Sequence, residues 1–422
     1  MVTLNASVVD GNRDSLMNYS IPADTTGNSV DWGKRRESVP HLVKYMGAKR
    51  QILDFVIDGI KEVHTGGQLC DLFAGTAVLS GALASVMPIH SNDMQAYSKV
   101  MAELYLSSKP IVDNGTLDRV LTDSQKQYTK LASACGSELV DHHLSLPREE
   151  YLKIESQHRD FLHKEFGEVG SHLFTKNYSG TYWSVDQCMW IDSIVEASNR
   201  FKNQPIYNQI LASLMYAMSY SAQSTGHFAQ YRDAATEESF IDILKYRRKN
   251  ILFLFQSKFN ELLLMTPSKI NNHKATTMDY KDCLAVIPKG GTVYADPPYG
   301  AVHYSRFYHA LETLVKYDYP QVQFKGRYRQ DRHQSPFCTT TKVKPAFQAI
   351  LTGVKNKRAN LVLSYSDNGM ISLDNLLLLC KSELKLTHNI TCRDIDYNHS
   401  TMGRSEDKGR KVKEYLILAS IK

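Results

Sequence analysis

The spacing of apolar positions changes character along the chain. From Met1 to about Glu37 it has no period: Asn, Ser, Asp, Gly and Arg dominate, and the stretch ends in Lys34-Arg35-Arg36-Glu37, so residues 1–38 are expected to form a mobile tail. No apolar core precedes a cleavage site there, which argues against a signal peptide. Beyond Leu42, the residues Ile52, Leu53, Val56, Ile57 and Ile60 recur at i, i+3 and i+4 and predict a helix after the Gly47 turn. Gln68 to Phe73 reads as a short apolar strand. A small-residue turn follows, then a helix through Val78, Leu79, Leu83 and Val86, then a second strand from Ile89 to Asp93 that ends in an acid. This succession opens a doubly wound α/β domain.

Between about Ser107 and Lys274 the period is 3.6, as in Met189 to Phe201 and Ile206 to Tyr220, without strand alternation. Strand-like texture returns at Thr292–Ala295, Asn360–Tyr365 and Glu414–Leu418. One sheet built from residues 39–106 and 275–422, interrupted by a mostly helical insertion at 107–274, accounts for this order. The 422 residues have room for such an arrangement, at roughly 100–200 residues per domain.

Composition narrows the class without naming a partner. With 42% hydrophobic and 22% charged residues the chain has the balance of a soluble globular protein. Its longest apolar-looking stretch, Leu69 to Ile89, is broken by Asp71, Gly75 and Gly81 and is too polar to span a bilayer. The seven cysteines are scattered, with no CxxC or Cys/His cluster of metal spacing, so a reduced, cytoplasmic protein without structural zinc or another metal site is expected. The 50 Lys and Arg against 44 Asp and Glu leave a net charge of +6, which permits an acidic partner but does not demand one.

The strongest chemical signal is Asp296-Pro297-Pro298-Tyr299, directly after the strand Thr292–Ala295. Chance would produce this tetrapeptide in roughly one chain of this length in several hundred. Ligands of open α/β sheets bind beyond the carboxyl ends of the strands, where this motif falls. Two prolines remove two amide donors and leave the Asp296 carboxylate and the Pro297 carbonyl as acceptors near one point. Two acceptors without a donor suit an amino group, and Tyr299 offers a flat face to the ring that carries it. A second signal is Asp71-Leu72-Phe73-Ala74-Gly75-Thr76-Ala77, with Asp93 at the end of the next strand. A small turn lets a ligand approach the backbone, and the acid can hold ribose hydroxyls.

Tyr45-Met46-Gly47-Ala48-Lys49, then Phe73-Ala74-Gly75, then Asp93, then Asp296-Pro297-Pro298-Tyr299 resembles the alpha-group, Dam-like DNA adenine-N6 methyltransferases. Their order also matches: cofactor segment, glycine turn, target-recognition insertion, DPPY. Positions 75 and 296 lie 221 apart, which leaves room for the insertion. Ser224 to Tyr231, Tyr304 to Tyr308 and Leu363 to Ser366 are weaker matches. The resemblance implies a Rossmann-like methyltransferase sheet and S-adenosylmethionine as cofactor. It implies that Tyr45, Lys49, Asp71, Phe73 and Gly75 contact that cofactor, that Asp93 takes its ribose and that Asp279 receives its adenine amino group. It further implies that Asp296, Pro297, Pro298 and Tyr299 hold a flipped adenine, without a covalent enzyme intermediate and without metal. Asp rather than Asn at 296 favours DNA adenine over the protein glutamine of related enzymes. Ala77 departs from the family turn Phe-x-Gly-x-Gly: alanine costs little there if φ is negative, and a methyl group facing the methionine moiety would weaken cofactor binding.

Charge is concentrated where such a substrate would need it. From Lys316 to Arg358 ten basic residues stand against Asp318 and Asp331, a local balance of +8. Lys325, Arg327, Arg329, Arg332 and Gln334 are expected to grip phosphates or read base edges of double-stranded DNA. Asn398 to Arg404, with His399 and Arg404, is a second candidate, and Gln223 to Arg232 in the insertion is a third. His41 and His309 read as structural. The expected protein is a nucleoid-associated monomer or weak dimer, with a restriction endonuclease or other defence component as an open partner. Two rivals remain: a non-catalytic DNA-binding specificity protein on a methyltransferase scaffold, towards which Ala77 leans, and an RNA adenine methyltransferase.

Overall fold

A computed structural model describes residues 39–45, 49–136, 146–367, 369–398 and 411–422. The expected tail, Met46 to Ala48, His399 and Arg404 lie outside the described residues. The apolar stripe of Leu53, Val56, Ile57 and Ile60 forms the buried side of α1 (Leu53–Val63), whose amphipathic spacing puts these residues on one face. After β1 (Leu69–Asp71) come α2 (Val78–Leu83), β2 (Ile89–Asp93) and α3 (Ala96–Tyr105).

Among the described residues seven further α-helices precede the next strand: α4 (Thr116–Cys135), α5 (Arg148–Arg159), α6 (Leu173–Tyr178), α7 (Val185–Ser198), α8 (Ile206–Ser221), α9 (Glu237–Arg247) and α10 (Ile251–Leu263). Ser184 and Gln187 close a capping box at the start of α7, and Thr236 with Ser239 does the same for α9. The sheet then resumes with β3 (Lys274–Thr277), α11 (Tyr280–Val286) and β4 (Thr292–Ala295). Next come α12 (Tyr304–Phe307), α13 (His309–Lys316) and a two-stranded hairpin, β5 (Val322–Gln323) with β6 (Tyr328–Arg329). The chain ends through α14 (Thr340–Lys357), β7 (Asn360–Ser366), α15 (Leu373–Leu384), β8 (His388–Asn398) and β9 (Lys411–Ile421). Among the described residues no helix is long and apolar enough to cross a membrane.

The main sheet runs β3-β2-β1-β4-β7-β9-β8. Its first five strands are mutually parallel, β9 is antiparallel to β7, and β8 is antiparallel to β9. The central strands β1, β4 and β7 are buried at every position, which explains their apolar-rich sequences without alternation. On one face α11, α14 and α15 contribute Leu284, Phe347, Ile350, Leu351 and Leu376 to a single core. On the other, α1 lies on β7 and β9 so closely that a Cβ on Gly59 would stand 2.9 Å from the Leu416 side chain.

The chain leaves β1 towards β2 and β3 on one side and returns to β4 on the other, so the strand order reverses between β1 and β4. A crevice opens beyond the carboxyl ends of these two strands. Asn92, at 1% exposure, fixes its shape. Its amide donates to the carbonyls of Leu72 (3.2 Å) and Met278 (3.1 Å), and its oxygen accepts from Thr276 Oγ1 (2.8 Å). The ends of β1, β2 and β3 are thereby tied together. Asn92→Ala breaks three hydrogen bonds, one of them fully buried, and is expected to cost about 2–4 kcal/mol in urea unfolding; a loss below about 1 kcal/mol contradicts this role.

Candidate active site

The turn after β1 is built on backbone bonds that its small residues permit. Leu72 N donates to Tyr294 O (2.9 Å) and Ala74 N to Asn92 O (2.8 Å), so the turn is anchored to both neighbouring strands. Gly75 takes φ +53, and a Cβ there would touch the Tyr45 ring at 3.4 Å. Its amide donates to Asp93 Oδ2 and that of Gln95 to Asp93 Oδ1, both at 2.9 Å. Each Asp93 oxygen keeps lone-pair capacity for a further donor. Burial raises the Asp93 carboxyl to about 6, against these two amides. Asp71 is raised to about 7, mainly by burial and further by Asp296 and Asp93, against the Ser80 hydroxyl donating at 2.7 Å.

Ala77 takes φ +54 at the start of α2, the left-handed conformation rather than the negative φ that makes alanine inexpensive. It is fully buried, while Thr76 and Val78 on either side line the crevice and Ala77 does not. The departure from the family turn therefore resides in backbone strain, not in a methyl group presented to a ligand.

Asp296 to Tyr299 form one wall of the same crevice, facing Tyr45, Lys49, Phe73 and Asp93. Aromatic rings frame both ends. Tyr45 stacks on Tyr308 (4.2 Å between centroids, 16° between planes) and meets Tyr304 at 5.7 Å. Phe73 packs edge-on against Phe337 (5.4 Å) beside Tyr280. Asp279 caps α11 by accepting from Lys281 N (2.9 Å) and also reaches the crevice. Four carboxylates, those of Asp71, Asp93, Asp279 and Asp296, thus line a space whose sole lysine or arginine is Lys49 among the described residues.

That lysine is 7% exposed and joins three parts of the chain. Its ammonium hydrogen-bonds Glu414 Oε1 of β9, lies 3.1 Å from Asp296 Oδ1, and sits 5.4 Å from the Tyr299 ring centre. Ser364 on β7 donates to the same Glu414 oxygen at 2.5 Å. Burial opposes the Lys49 charge, but Asp296 and Glu414 outweigh it and hold the ammonium well above its usual range. Burial pushes the Asp296 carboxyl up and Glu414 adds to this, with Lys49 opposing. Asp296 Oδ1 is shielded from solvent and faces the Lys49 ammonium.

The structure brings together Tyr45, Lys49, Asp71, Phe73, Gly75, Asp93, Asp279 and the Asp296–Tyr299 motif. It separates the expected DNA-gripping residues. Arg327 is buried, donating to the carbonyls of Asn177 (2.5 Å) and Arg159 (2.7 Å). Arg329, 2% exposed, is forked between Asp318 (2.5 and 2.7 Å) and Asp331 (2.9 and 3.1 Å). The expectation that these two guanidiniums grip phosphates is corrected: internal acceptors consume them. Lys325 is half-exposed, pairs with Asp233 and lies over the Tyr231 ring. Arg332 lies against Tyr328 and reaches Ser305 Oγ at 3.5 Å; Gln334 is exposed beside His333 and Ser335, which line the crevice. The third candidate, Gln223 to Arg232, turns at Gly226 (φ +94), and Phe228 N donates to Phe307 O of α12 at 2.7 Å. His309 is a core residue bonded to Phe228 O (2.8 Å), and burial depresses it to about 3. Sequence reasoning does not reach Glu414, Ser364 or Tyr294 as site residues; an acid immediately before the apolar run of β9 is the one available signal.

A doubly wound sheet with its ligand crevice at the strand reversal, and Asp-Pro-Pro-Tyr at the end of β4, has the form of a Rossmann-like methyltransferase. The chain belongs to the D12 class N6 adenine-specific DNA methyltransferase family, which it matches over residues 45–366. It is similar to the type II methyltransferase M.FokI of Planomicrobium okeanokoites, at 25% identity over 356 residues, covering 81% of this chain and 47% of that protein. Modification methylase LlaI of Lactococcus lactis subsp. lactis shares 22% identity over 387 residues, covering 89% of this chain and 54% of LlaI. Modification methylase StsI of Streptococcus sanguinis shares 22% over 384 residues, covering 89% and 51%. The chain spans about half the length of these relatives.

The buried fork at Arg329 has a direct test. Arg329→Ala is expected to lower stability by about 2 kcal/mol, seen as a fall in melting temperature, with no change in the salt dependence of binding to a DNA duplex. A salt slope reduced by about 1 at unchanged stability would restore the phosphate contact.

Proposed function

We propose that the protein is a site-specific DNA methyltransferase that methylates the N6 amino group of an adenine turned out of the duplex. One observation carries this reading: Asp296 lines the crevice at the end of β4 and is followed at once by two prolines that supply no amide hydrogen. An exocyclic amino group is the complementary ligand. Asp296 and the Pro297 carbonyl accept its two hydrogens and leave its lone pair free to be aimed, while Tyr299 lies along the base. Asp296 does not need to be a strong base; its charge orients the amine and stabilises the positive charge that develops on it.

S-adenosylmethionine fits the crevice and, when bound, supplies a methyl group on a cationic sulfur. The excess of carboxylates over ammonium groups suits that charge. Tyr45, Phe73 and Gly75 would bound it, with Asp71 beneath the turn. Asp93, with lone pairs to spare, would take its ribose hydroxyls, and Asp279 its adenine amino group. The aromatic walls give the bound groups apolar faces to lie against.

Double-stranded DNA is the substrate this reading gives the chain. Lys325, Arg332 and Gln334 would meet it from the hairpin side, and the helical insertion at 107–274 would read sequence. The link from Phe228 to α12 beside the crevice supports that second role. The relatives' names, type II methyltransferase and modification methylase, suggest a restriction endonuclease as partner and a cytoplasmic site of action.

The test is transfer of labelled methyl groups to duplexes of varied sequence. Asp296→Ala is expected to lose at least about 100-fold in rate while binding duplex DNA normally. Wild-type-like transfer by that variant overturns the assignment, and preferential labelling of RNA moves it to the RNA reading. The pH profile gives an independent check. The Asp296 carboxyl is raised by burial and Glu414, so its charged form is lost as pH falls. The acid limb of kcat/KM is therefore expected above about pH 5, not near the ordinary carboxylate value of about 4.

A further inference from the structure

Shortly beyond Tyr299 the chain reaches His303, which lines the same crevice at the start of α12. Its Nδ1 accepts the backbone amide of Ser335 at 3.0 Å. That bond joins two walls with different work. His303 continues the wall that begins at Asp296, whereas Ser335 caps the 3-10 turn Pro336–Cys338, which carries Phe337. Phe337, 1% exposed, stands edge-on to Phe73 and 5.2 Å from the Tyr280 ring, and Asp279 adjoins Tyr280 in the same lining. The other polar groups of Ser335 are committed inside the turn: its Oγ accepts from Phe337 N (3.3 Å) and its carbonyl from Cys338 N (3.2 Å). Its amide is therefore the group that reaches across. Ser305 Oγ donates to the His333 carbonyl nearby, so the stretches 303–305 and 333–335 close on each other as a clasp.

We infer that His303 is a positioning residue for the cofactor: by accepting the Ser335 amide it fixes the Phe337 wall beside the adenine of S-adenosylmethionine, and so couples the target-base wall to the cofactor wall. The inference rests on the methyltransferase reading above, which gives Asp279 the cofactor's adenine amino group. An imidazole accepts at Nδ1 only while it is neutral and carries its hydrogen on Nε2. Burial, and then Arg332 and His333 of the facing segment, hold His303 below its ordinary value and favour that form; the carboxylates of Asp279 and Asp296 share the crevice lining. Once Nδ1 is protonated or missing, the Ser335 amide faces no acceptor and the turn spends time away from its place. Apparent cofactor affinity then falls in proportion to the fraction still in place.

The experiment measures S-adenosylmethionine affinity by calorimetry across pH for wild type, His303→Leu, His303→Asn, Ser335→Pro and the double variant His303→Leu/Ser335→Pro. Ser335 has φ −67, which proline also adopts, so Ser335→Pro removes the amide hydrogen at little backbone cost. At pH 8 His303→Leu is expected to weaken binding about tenfold, and His303→Asn, whose side-chain oxygen replaces Nδ1 as acceptor, to stay within about twofold of wild type. Below the ordinary histidine value of about 6.5, wild type is expected to lose affinity more steeply than His303→Asn. Asp71, Asp93 and His333 are present in both proteins, so the difference belongs to His303. The double variant is expected to bind no more weakly than the weaker single variant, because both lose the same bond. Additive losses make His303 a direct cofactor ligand and overturn the inference. So does unchanged affinity in His303→Leu, or the wild-type pH dependence in His303→Asn. If Ser335→Pro does not fold, the comparison of Leu with Asn at 303 decides alone. Failure of the underlying reading looks different: wild type itself then binds no S-adenosylmethionine.

Discussion

One ammonium buried between two carboxylates governs the architecture of this site. Removing each charge from water costs several kcal/mol, so Lys49, Asp296 and Glu414 are tolerable only together and only at close quarters. They come from positions 49, 296 and 414, and no local segment unites them. The sheet does so: β4 delivers Asp296, β9 returns antiparallel beside β7 to deliver Glu414, and α1 lies across β7 and β9 just after Lys49. The antiparallel end of the sheet thus contributes a charge to the pairing beside the crevice.

The other half of the crevice obeys a related constraint. Asp93 is committed to two backbone amides of the loops beyond β1 and β2, and Asn92 next to it laces three strand ends. Adjacent residues therefore do different work, one shaping the floor and one presenting lone pairs. The turn they hold contains Ala77 in a left-handed conformation, a strain that the surrounding bonds must sustain. Carboxylates raised by burial make this region costly for the fold.

Much of this was legible in the sequence, for definite reasons. β1, β4 and β7 are buried at every position and announce themselves by clustered apolar residues, and the acid ending β2 stands where a strand stops. The edge strand β3 did not show, because Lys274-Ala275-Thr276-Thr277 is short and half-exposed, and neither did the equally polar edge strand β8. The arginines of the basic stretch were misread for a different reason. Nothing local says that Arg329 folds back onto Asp318 and Asp331, or that Arg327 turns inward to carbonyls of the insertion. Glu414 was overlooked because its partner is 365 residues away, and pairing at that range is a property of the sheet.

The central claim is that this crevice methylates adenine at N6 in DNA. Mapping modified bases in DNA from cells that produce the protein, beside cells producing the Asp296→Ala variant, tests it most directly. The account predicts N6-methyladenine at one recurring sequence with the wild-type protein and at none with the variant. Absence of N6-methyladenine in both, or the same methylation in both, contradicts it.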